Sequence, residues 1–392
     1  MSQAPAAQAA LATPLGYAWE ATDEQVSARY GVAVSAIVRF DLNTSPAPPD
    51  LALRLLRAGA FGRPISEYPP SDYRDLVAAA AETYGVSSDE LLVGAGADEV
   101  LDLIAKAFLR PGARAVIPTP TYAMYGILTA QRPAQPIAVP RRPASDGYAH
   151  DRPAVREAAR DAAVVWLCSP NNPTGLPEPS GAIAALLREL RADADAAGRS
   201  APVVVLDEAY AEFVGTSLAG LRASYPRLVV VRTASKAYAL AGLRVGFAIA
   251  PSDLVREMEP YRPPGSVSIP SVAVVAAALR DPDALRENVL RVSAERARLA
   301  DALVSLGIPA GPSVANFLLV RFGDRVRAMA VADGLLRRGL VPRTFGPAHA
   351  LADHLRFTVR SPTEDDRLVA ALAEIVPALP HPAPDPAQET TP

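Results

Sequence analysis

The sequence predicts an α/β fold, with a mostly parallel sheet covered by helices and a smaller α+β domain after it. Between about residues 90 and 250, short apolar segments alternate with helical segments, which is typical of a sheet with helices on both faces. The segment Ala163–Cys168 is apolar at nearly every position, as expected for a strand buried on both sides. After residue 265 a long helical stretch and short strands follow in a different order, which indicates a second domain.

Strands are expected where short runs of β-branched and other apolar residues end in turn-forming residues. In the sheet these runs are Leu91–Val93, Ala115–Pro118, Ile137–Val139, Ala163–Cys168, Val203–Leu206, Leu228–Val231 and Val245–Ala250. In the smaller domain they are Phe317–Phe322, Leu340–Arg343 and Leu355–Val359. Helices are expected at Asp23–Tyr30, 51–58, from a cap at Ser71 or Asp72 to about 84, Val100–Leu109, 180–197, 280–306, 325–338 and 363–377.

These elements divide the chain into five parts. We expect a disordered tail at 1–14, an N-terminal segment at 15–50 that joins the small domain, a large domain at 51–265, a small domain at 266–377 and a disordered tail at 378–392. The second tail is rich in proline, which is typical of segments without a packed core.

Composition and charge exclude several classes of protein. With 392 residues, 50% of them hydrophobic, the chain can bury a large core. A net charge of −3 gives no reason to expect nucleic acid or a membrane as partner. The single cysteine, Cys168, rules out an intrachain disulfide, and the four histidines lack zinc-ligand spacing, so we expect no metal site. No apolar run could span a bilayer and residues 1–14 do not resemble a signal peptide, so we expect a soluble cytoplasmic protein.

The loop that follows the apolar run Leu228–Val231 contains Lys236 among small residues. Small neighbours can desolvate a lysine, which lowers its pKa and leaves the neutral amine that Schiff-base chemistry requires. Thr233, Ser235 and Arg244 supply the hydroxyls and the cation that a phosphate needs. A lysine beside a phosphate site suggests pyridoxal phosphate, although this loop alone fits a solvated surface lysine equally well.

Marked residues also follow other predicted strands. The residues at these strand ends are Gly94, Tyr122, Asn172, Asp207 and Lys236. In open α/β sheets ligands bind beyond the carboxyl ends of the strands. Their convergence on one edge of the sheet therefore predicts a single binding site.

The ring of pyridoxal phosphate requires groups that these strand ends can supply. Asp207 fits the pyridine nitrogen, because a carboxylate keeps that nitrogen protonated. Tyr210 and Asn172 can hold the ring oxygen, and Tyr122 can stack on the ring. Considered alone, Asp207 would be interpreted as a helix cap.

Two anionic groups must also be bound. The phosphate fits the start of the helix after Gly96, where unpaired amides would meet Thr233, Ser235 and Arg244. The carboxylate of an amino-acid-like substrate fits Arg356 on a late strand. Considered alone, Arg356 would be interpreted as an edge-strand charge.

Three motifs in combination resemble those of fold-type-I pyridoxal phosphate enzymes, specifically the class I/II aminotransferases. They are S-P-N-N-P-T-G at 169–175, D-E-A-Y at 207–210 and S-K-A-Y-A-L-A-G-L-R-V-G at 235–246. The resemblance covers roughly residues 15–377. Within this group the chain is most similar to the histidinol-phosphate aminotransferase family, through segments at 40–46, 68–69, 94–99, 315–317 and 355–359. It implies the PLP-transferase fold type I, whose large domain has a mostly parallel seven-stranded sheet.

The resemblance also implies a role for each matching residue. The catalytic residues would be Lys236, Asp207 and Tyr210. The cofactor would also be bound by Ala97, Asp98, Tyr122, Asn172, Thr233, Ser235 and Arg244, and by Tyr68 of the neighbouring subunit in a homodimer. The substrate would be bound by Asn43, Arg343 and Arg356. Of these, Arg356 would hold the carboxylate of glutamate, and Arg343 would help to hold the phosphate of histidinol phosphate.

The implied reaction transfers the amino group of histidinol phosphate to 2-oxoglutarate, a step of histidine biosynthesis. The alternatives are an aromatic or broad-specificity aminotransferase, a decarboxylase of a phosphorylated amino acid, and a binding protein that keeps the fold without turnover. Three positions depart from the family pattern: Ser45, where a second asparagine is common, Pro70 after Tyr68-Pro69, and Arg360, where glycine is usual. These departures affect the substrate assignment more than the reaction type.

Overall fold

The computed structural model describes residues 16–380. Its strands are β1 Val38–Arg39, β2 Leu91–Gly94, β3 Arg114–Thr119, β4 Gln135–Pro140, β5 Val164–Cys168, β6 Val203–Asp207, β7 Leu228–Thr233, β8 Gly246–Ile249, β9 Phe317–Arg321, β10 Leu340–Val341 and β11 His354–Thr358. Its helices are α1 Asp23–Tyr30, α2 Asp50–Ala58, α3 Arg74–Tyr84, α4 Gly96–Phe108, α5 Met124–Gln131, α6 Arg152–Ala158, α7 Ala182–Ala196, α8 Ala211–Val214, α9 Ser252–Met258, α10 Ile269–Leu279, α11 Pro282–Ser305, α12 Arg325–Leu336 and α13 Pro362–Ile375.

A seven-stranded sheet with the order β2-β8-β7-β6-β5-β3-β4 forms the centre of the molecule. Strands β3 to β7 are parallel, whereas β8 runs antiparallel to both of its neighbours. A parallel connection needs a crossover of a dozen or more residues, usually a helix. The segment between β7 and β8 contains only a short turn at Ala241–Leu243, so the chain reverses direction. The predicted α/β fold with a mostly parallel seven-stranded sheet is confirmed.

The central strands are apolar at successive positions because helices cover both faces of the sheet. In β6, Val204 and Leu206 belong to one apolar cluster, while Val203 and Val205 belong to the cluster on the other face. All four side chains are fully buried. The ends of these strands are therefore held in fixed positions.

The C-terminal region, from α11 to α13, forms a separate apolar cluster around the antiparallel pair β9 and β11. Strand β1 pairs in parallel with β10, so the N-terminal segment contacts this region. Helix α10, which the predicted division assigns to the small domain, packs instead into a cluster on the sheet with α3. The domain division itself stays a prediction. The predicted tails at 1–14 and, apart from its first three residues, 378–392 lie outside the described residues.

Helix α4 starts earlier than the sequence-based expectation, and five helices were not expected as elements: α5, α6, α8, α9 and α10. Helix α4 begins at Gly96 rather than at Val100. The earlier start was not predicted because no capping side chain marks it in the sequence. Helix α10 was not expected as an element, since Ile269–Leu279 is almost entirely apolar and lacks a polar face. Of the helices described, none is both long and apolar enough to cross a membrane.

Gly246, at the start of β8, allows the sheet to approach the first turn of α4. A Cβ atom at this position would lie 2.4 Å from the carbonyl carbon of Gly96 and 2.5 Å from the amide nitrogen of Ala97. The glycine is thus required where these two segments of backbone pack together.

We expect Gly246→Ala to lower the free energy of unfolding by about 1–3 kcal/mol, because backbone must move to admit the methyl group. Gly126→Ala on α5 is the matched control, since a Cβ atom there meets nothing within 4 Å and alanine favours a helix. Denaturant unfolding of both variants gives the measurement. Equal free energies of unfolding for the two variants would show that the close contact at Gly246 does not limit which residue the fold accepts there.

Candidate active site

One cavity of about 640 Å³ lies at the carboxyl ends of the central strands and reaches β11. All of the predicted site residues except Tyr68 line it. The lining residues that were predicted are Asn43, Ala97, Asp98, Tyr122, Asn172, Asp207, Tyr210, Thr233, Ser235, Lys236, Arg244, Arg343 and Arg356. Tyr68 is 90% exposed and lies outside this cavity.

Lys236 lies in the loop between β7 and β8, which is closed by a backbone bond from Ala234 N–H to Val245 O at 3.1 Å. Its Nζ donates to the backbone carbonyl oxygen of Asn43 at 3.3 Å. Burial, reinforced by the positive charge of Arg356, lowers the pKa of this amine to about 8. A fraction of the amine is therefore neutral near neutral pH.

Asp207 is the last residue of β6 and is buried. Burial raises the pKa of its carboxyl group to about 6. Two hydrogen bonds oppose this rise: the Tyr125 hydroxyl donates to Oδ2 at 2.7 Å, and the Ala209 N–H donates to Oδ1 at 3.0 Å. The carboxylate is consequently ionised at neutral pH.

Tyr125 is a site residue that the sequence analysis missed. It lies one helical turn after Tyr122, and this spacing is the only sequence signal that could have suggested it. Its ring stacks on Trp166, with 5.4 Å between centroids and 6° between planes. The Trp166 Nε1–H donates to the Thr129 hydroxyl at 3.2 Å. These contacts fix the hydroxyl group that binds Asp207.

Asn43 connects several parts of the site. Its side-chain amide donates to the Tyr210 hydroxyl oxygen at 2.9 Å, and its backbone N–H donates to the Thr358 hydroxyl at 2.9 Å. Its carbonyl oxygen accepts a hydrogen bond from Asn316 at 3.0 Å as well as the one from Lys236. The residue predicted to bind substrate thus also positions two of the predicted catalytic residues.

Arg343 and Arg356 pair directly through their backbones. Each N–H donates to the carbonyl oxygen of the other at 3.0 Å, in an antiparallel bridge. Side chains opposite each other in such a pair emerge on the same side, about 5 Å apart. The pairing therefore presents two guanidinium groups to one cavity.

The Arg356 guanidinium is almost fully buried, and burial lowers its pKa. Its Nη1 donates to the Asn172 amide oxygen at 2.5 Å, and its Nη2 donates to the Asp41 carbonyl oxygen. Its Nε has no hydrogen-bond partner among residues 16–380. A buried cation with unused donor capacity indicates a place for an anion.

The start of α4 forms a cradle for a second anion. Its N-cap, Ala95, offers no side-chain acceptor to the amides of the first turn. Thr233 and Ser235 hydroxyls, 2.9 Å apart, lie in the lining of the same cavity. Unpaired amides at the positive end of a helix, together with hydroxyl donors, suit a phosphate.

Asp98 in the same turn accepts hydrogen bonds from two predicted site residues. The Tyr122 hydroxyl donates to its Oδ1 at 2.9 Å, and Arg244 Nη2 donates to its Oδ2 at 3.2 Å. Gly96 makes room for the guanidinium, because a Cβ atom there would lie 2.5 Å from Arg244 Nη2. The contacts place the aromatic ring and the cation at the cradle.

Tyr17 and Trp19 also line the cavity, and the sequence analysis missed both. They belong to an extended segment without a periodic pattern, so no sequence signal marked them. Arg343 holds this segment, because its Nη1 donates to the Ala18 carbonyl oxygen at 2.6 Å and its guanidinium lies 5.1 Å from the centre of the Tyr17 ring. One of the two substrate arginines is thus partly engaged by the segment.

Two of the positions that depart from the family pattern can be placed. The Arg360 side chain donates to Glu364 on α13 at 2.9 Å, and it does not line the cavity. The Ser45 hydroxyl is buried without a hydrogen-bond partner among the described residues. Neither side chain contacts the candidate anion sites directly.

Comparison with known proteins identifies the family. The sequence matches the family described as aminotransferase class I and II over residues 38–372. The chain belongs to this family. It is 38% identical to the histidinol-phosphate aminotransferase of Roseiflexus castenholzii over 361 residues, which cover 90% of this chain and 93% of that protein. The identity with the histidinol-phosphate aminotransferase of Thermococcus gammatolerans is 36%, covering 86% of this chain and 92% of that one.

The fold of this aminotransferase also agrees with solved structures. The crystal structure of histidinol-phosphate aminotransferase from Sinorhizobium meliloti in complex with pyridoxal-5'-phosphate has a TM-score of 0.83 and 27% sequence identity, and the match covers 93% of this chain and 96% of that one. The family resemblance and the fold class predicted from the sequence are both confirmed.

We expect Tyr125→Phe to raise the pKa of Asp207 by about one unit or more, because a hydrogen bond to a charged group contributes about 1.5–3 kcal/mol. The variant loses the hydrogen bond that lowers the pKa of Asp207, so its carboxylate becomes protonated at a pH above about 6. The affinity of the cofactor-free aminotransferase for pyridoxal phosphate, which needs an ionised Asp207, should therefore fall at a higher pH in the variant.

Titration of that affinity against pH gives the measurement. Tyr84→Phe is the matched control, because the Tyr84 hydroxyl is buried but has no hydrogen-bond partner in the described part of the chain. An unchanged midpoint in Tyr125→Phe would mean that this hydroxyl does not control the ionisation of Asp207.

Proposed function

We propose that this aminotransferase transfers the amino group of histidinol phosphate to 2-oxoglutarate, giving imidazole acetol phosphate and glutamate, with pyridoxal phosphate as cofactor. The observation that carries the proposal is that Lys236, Asp207 and the arginine pair Arg343 and Arg356 line a single cavity. The curated relatives named histidinol-phosphate aminotransferase, with 36–38% identity over most of the chain, support the choice of substrate.

The residues of the cavity fit pyridoxal phosphate. Lys236 would hold its aldehyde and Asp207 its ring nitrogen, while Tyr122 would cover the ring. Asn172 and Tyr210 would hold the ring oxygen. The phosphate would be held by the uncapped start of α4 with Thr233, Ser235 and Arg244. When bound, this cofactor withdraws electrons from the substrate and so stabilises negative charge at its α-carbon.

The side chains of this protein provide the proton transfers. With its pKa near 8, Lys236 has a neutral fraction at neutral pH. This neutral amine can accept the proton of the substrate α-carbon and then donate it to a neighbouring carbon atom. Asp207 remains ionised at neutral pH and would keep the ring nitrogen protonated. Asp207 is buried and Lys236 is half-buried, so their charges act more strongly than in solution.

The paired arginines explain how one site can take two different substrates. Glutamate presents an α-carboxylate and histidinol phosphate presents a phosphate at the matching end. Both anions accept bidentate hydrogen bonds from guanidinium groups. Arg356, which is more buried, would hold either anion, and Arg343 would add donors for the larger phosphate.

We also propose that the protein is a cytoplasmic homodimer in which Tyr68 of one subunit reaches the cofactor phosphate of the other. Two exposed apolar side chains support the dimer: Tyr68 is 90% exposed and Ile65 is 75% exposed on the same loop. Aromatic residues are enriched in protein–protein interfaces relative to the rest of the surface. The cytoplasmic location follows from the proposed biosynthetic role.

The decisive test is a single-turnover absorbance measurement on the purified holoenzyme with histidinol phosphate and no oxo acid. We expect the yellow band of the bound cofactor to convert to that of its amine form. Conversion by phenylalanine or tyrosine alone would make the substrate aromatic, and release of carbon dioxide would make the enzyme a decarboxylase. Lys236→Ala should abolish multiple turnover, and a near-normal rate would contradict the proposed role of this lysine.

We expect Arg343→Gln to reduce kcat/KM for histidinol phosphate by about 10- to 100-fold, because a hydrogen bond to a charged group contributes about 1.5–3 kcal/mol. The loss for glutamate should be smaller, because its carboxylate depends mainly on Arg356. Steady-state kinetics with each donor give the comparison. Arg338→Gln, which removes a surface charge paired with Glu374, is the control. Equal losses for both donors would contradict a phosphate-specific role.

A further inference from the structure

A second cavity of about 420 Å³ adjoins the active-site cavity. The two cavities meet at six side chains that line both of them: Tyr17, Trp19, Tyr122, Asn172, Arg343 and Arg356. Arg325 and His349 line the second cavity but not the active-site cavity. We call this second cavity the side chamber. It lies between the N-terminal segment, the loop after β3 and the C-terminal region.

The side chamber has excess positive charge. Arg325 is exposed, and its side chain has no hydrogen bond or ion pair with another described residue. The neighbouring carboxylate of Asp324 caps α12 by accepting from Arg327 N–H at 2.8 Å. The carboxylate that lines the chamber, Glu20, accepts from Thr344 at 2.7 and 2.8 Å. Glu20 Oε1 also lies 3.7 Å from Arg343 Nη1, so this carboxylate pairs with Arg343, and neither carboxylate forms an ion pair with Arg325 in the described part of the chain.

His349 adds a hydrogen-bond donor to this chamber. Its Nδ1 accepts from the Leu351 N–H at 3.1 Å, so in the neutral ring the proton is on Nε2. Burial and the nearby charge of Arg343 lower its pKa, which favours this neutral form. The Phe345 ring stacks on it, with 4.9 Å between centroids and 22° between planes. The imidazole is thus held in position with one N–H available.

Three guanidinium groups of decreasing exposure lead from solvent to the active site. Arg325 is exposed, the Arg343 side chain is 15% exposed and Arg356 is buried. Clefts lined by charge of one sign concentrate ions of the opposite sign and raise their association rates. This order of charges would guide an anion inward.

We propose that the side chamber is an anion-binding entrance, in which Arg325 and His349 bind the phosphate or carboxylate of an incoming substrate before it reaches Arg356. The proposal rests on the proposed function to the extent that the substrates are anionic, but it does not depend on which anionic donor is natural. A solvated surface arginine without a role at the entrance is the alternative that the experiment must exclude.

The test is Arg325→Gln, with Arg188→Gln as matched control. Arg188 is an exposed residue of α7 that lines neither cavity. Stopped-flow half-reactions of the holoenzyme with glutamate are recorded at low and high salt. We expect the second-order rate constant of Arg325→Gln to fall about three- to tenfold at low salt. The difference should vanish at high salt, where charges are screened.

The limiting rate at saturating glutamate should not change, since Arg325 does not touch the reacting atoms. Arg325→Lys should restore most of the second-order rate constant, and Arg188→Gln should behave like the wild type. The proposal is overturned if Arg325→Gln equals the wild type at low salt. It is also overturned if the limiting rate falls while the second-order constant is kept, because that pattern indicates a structural role.

Failure of the proposed function gives a different result. If glutamate reacts and histidinol phosphate does not, the substrate assignment is wrong while the glutamate experiment still tests the entrance. If neither donor reacts, calorimetric titration of the holoenzyme with inorganic phosphate replaces the kinetics. Binding that is several-fold weaker in Arg325→Gln than in Arg188→Gln supports the entrance, and equal binding overturns it.

Discussion

The burial of two ionisable groups at the ends of adjacent strands is the constraint on which the candidate site depends. Asp207 ends β6, and Lys236 follows the neighbouring strand β7. Burial raises the pKa of the carboxyl group to about 6 and lowers that of the amine to about 8, so the two values approach each other. Near pH 7 the carboxylate is charged and about one tenth of the amine is neutral. The apolar cover on both faces of the sheet makes this combination of states possible.

Much of this arrangement could be predicted from the sequence, because it follows from strand ends. A run of apolar residues that stops at Asp207 or before Lys236 marks both the strand and the edge on which ligands bind. The same argument located Tyr122 and Asn172, and the family motifs extended it to Arg343. The structure places all of these in one cavity.

The parts that could not be predicted depend on packing rather than on local pattern. The hydroxyl of Tyr125 binds Asp207 only because its ring is fixed on Trp166, which is distant in sequence. Tyr17 lines the cavity because Arg343, from the other end of the chain, holds its segment. Tyr68 was predicted from family resemblance to act in a neighbouring subunit, and in a single chain it is exposed to solvent.

Because β1 pairs with β10, the active site can form only when the C-terminal region is present. Asn43, just after β1, holds Lys236 and Tyr210, and it is itself held by Thr358. A segment made early in synthesis therefore reaches its place only after the last third of the chain has left the ribosome. Until then the amine of Lys236, the hydroxyl of Tyr210 and the guanidinium groups of Arg343 and Arg356 cannot be assembled in one cavity. A chain that ends before β10 therefore lacks a complete active site.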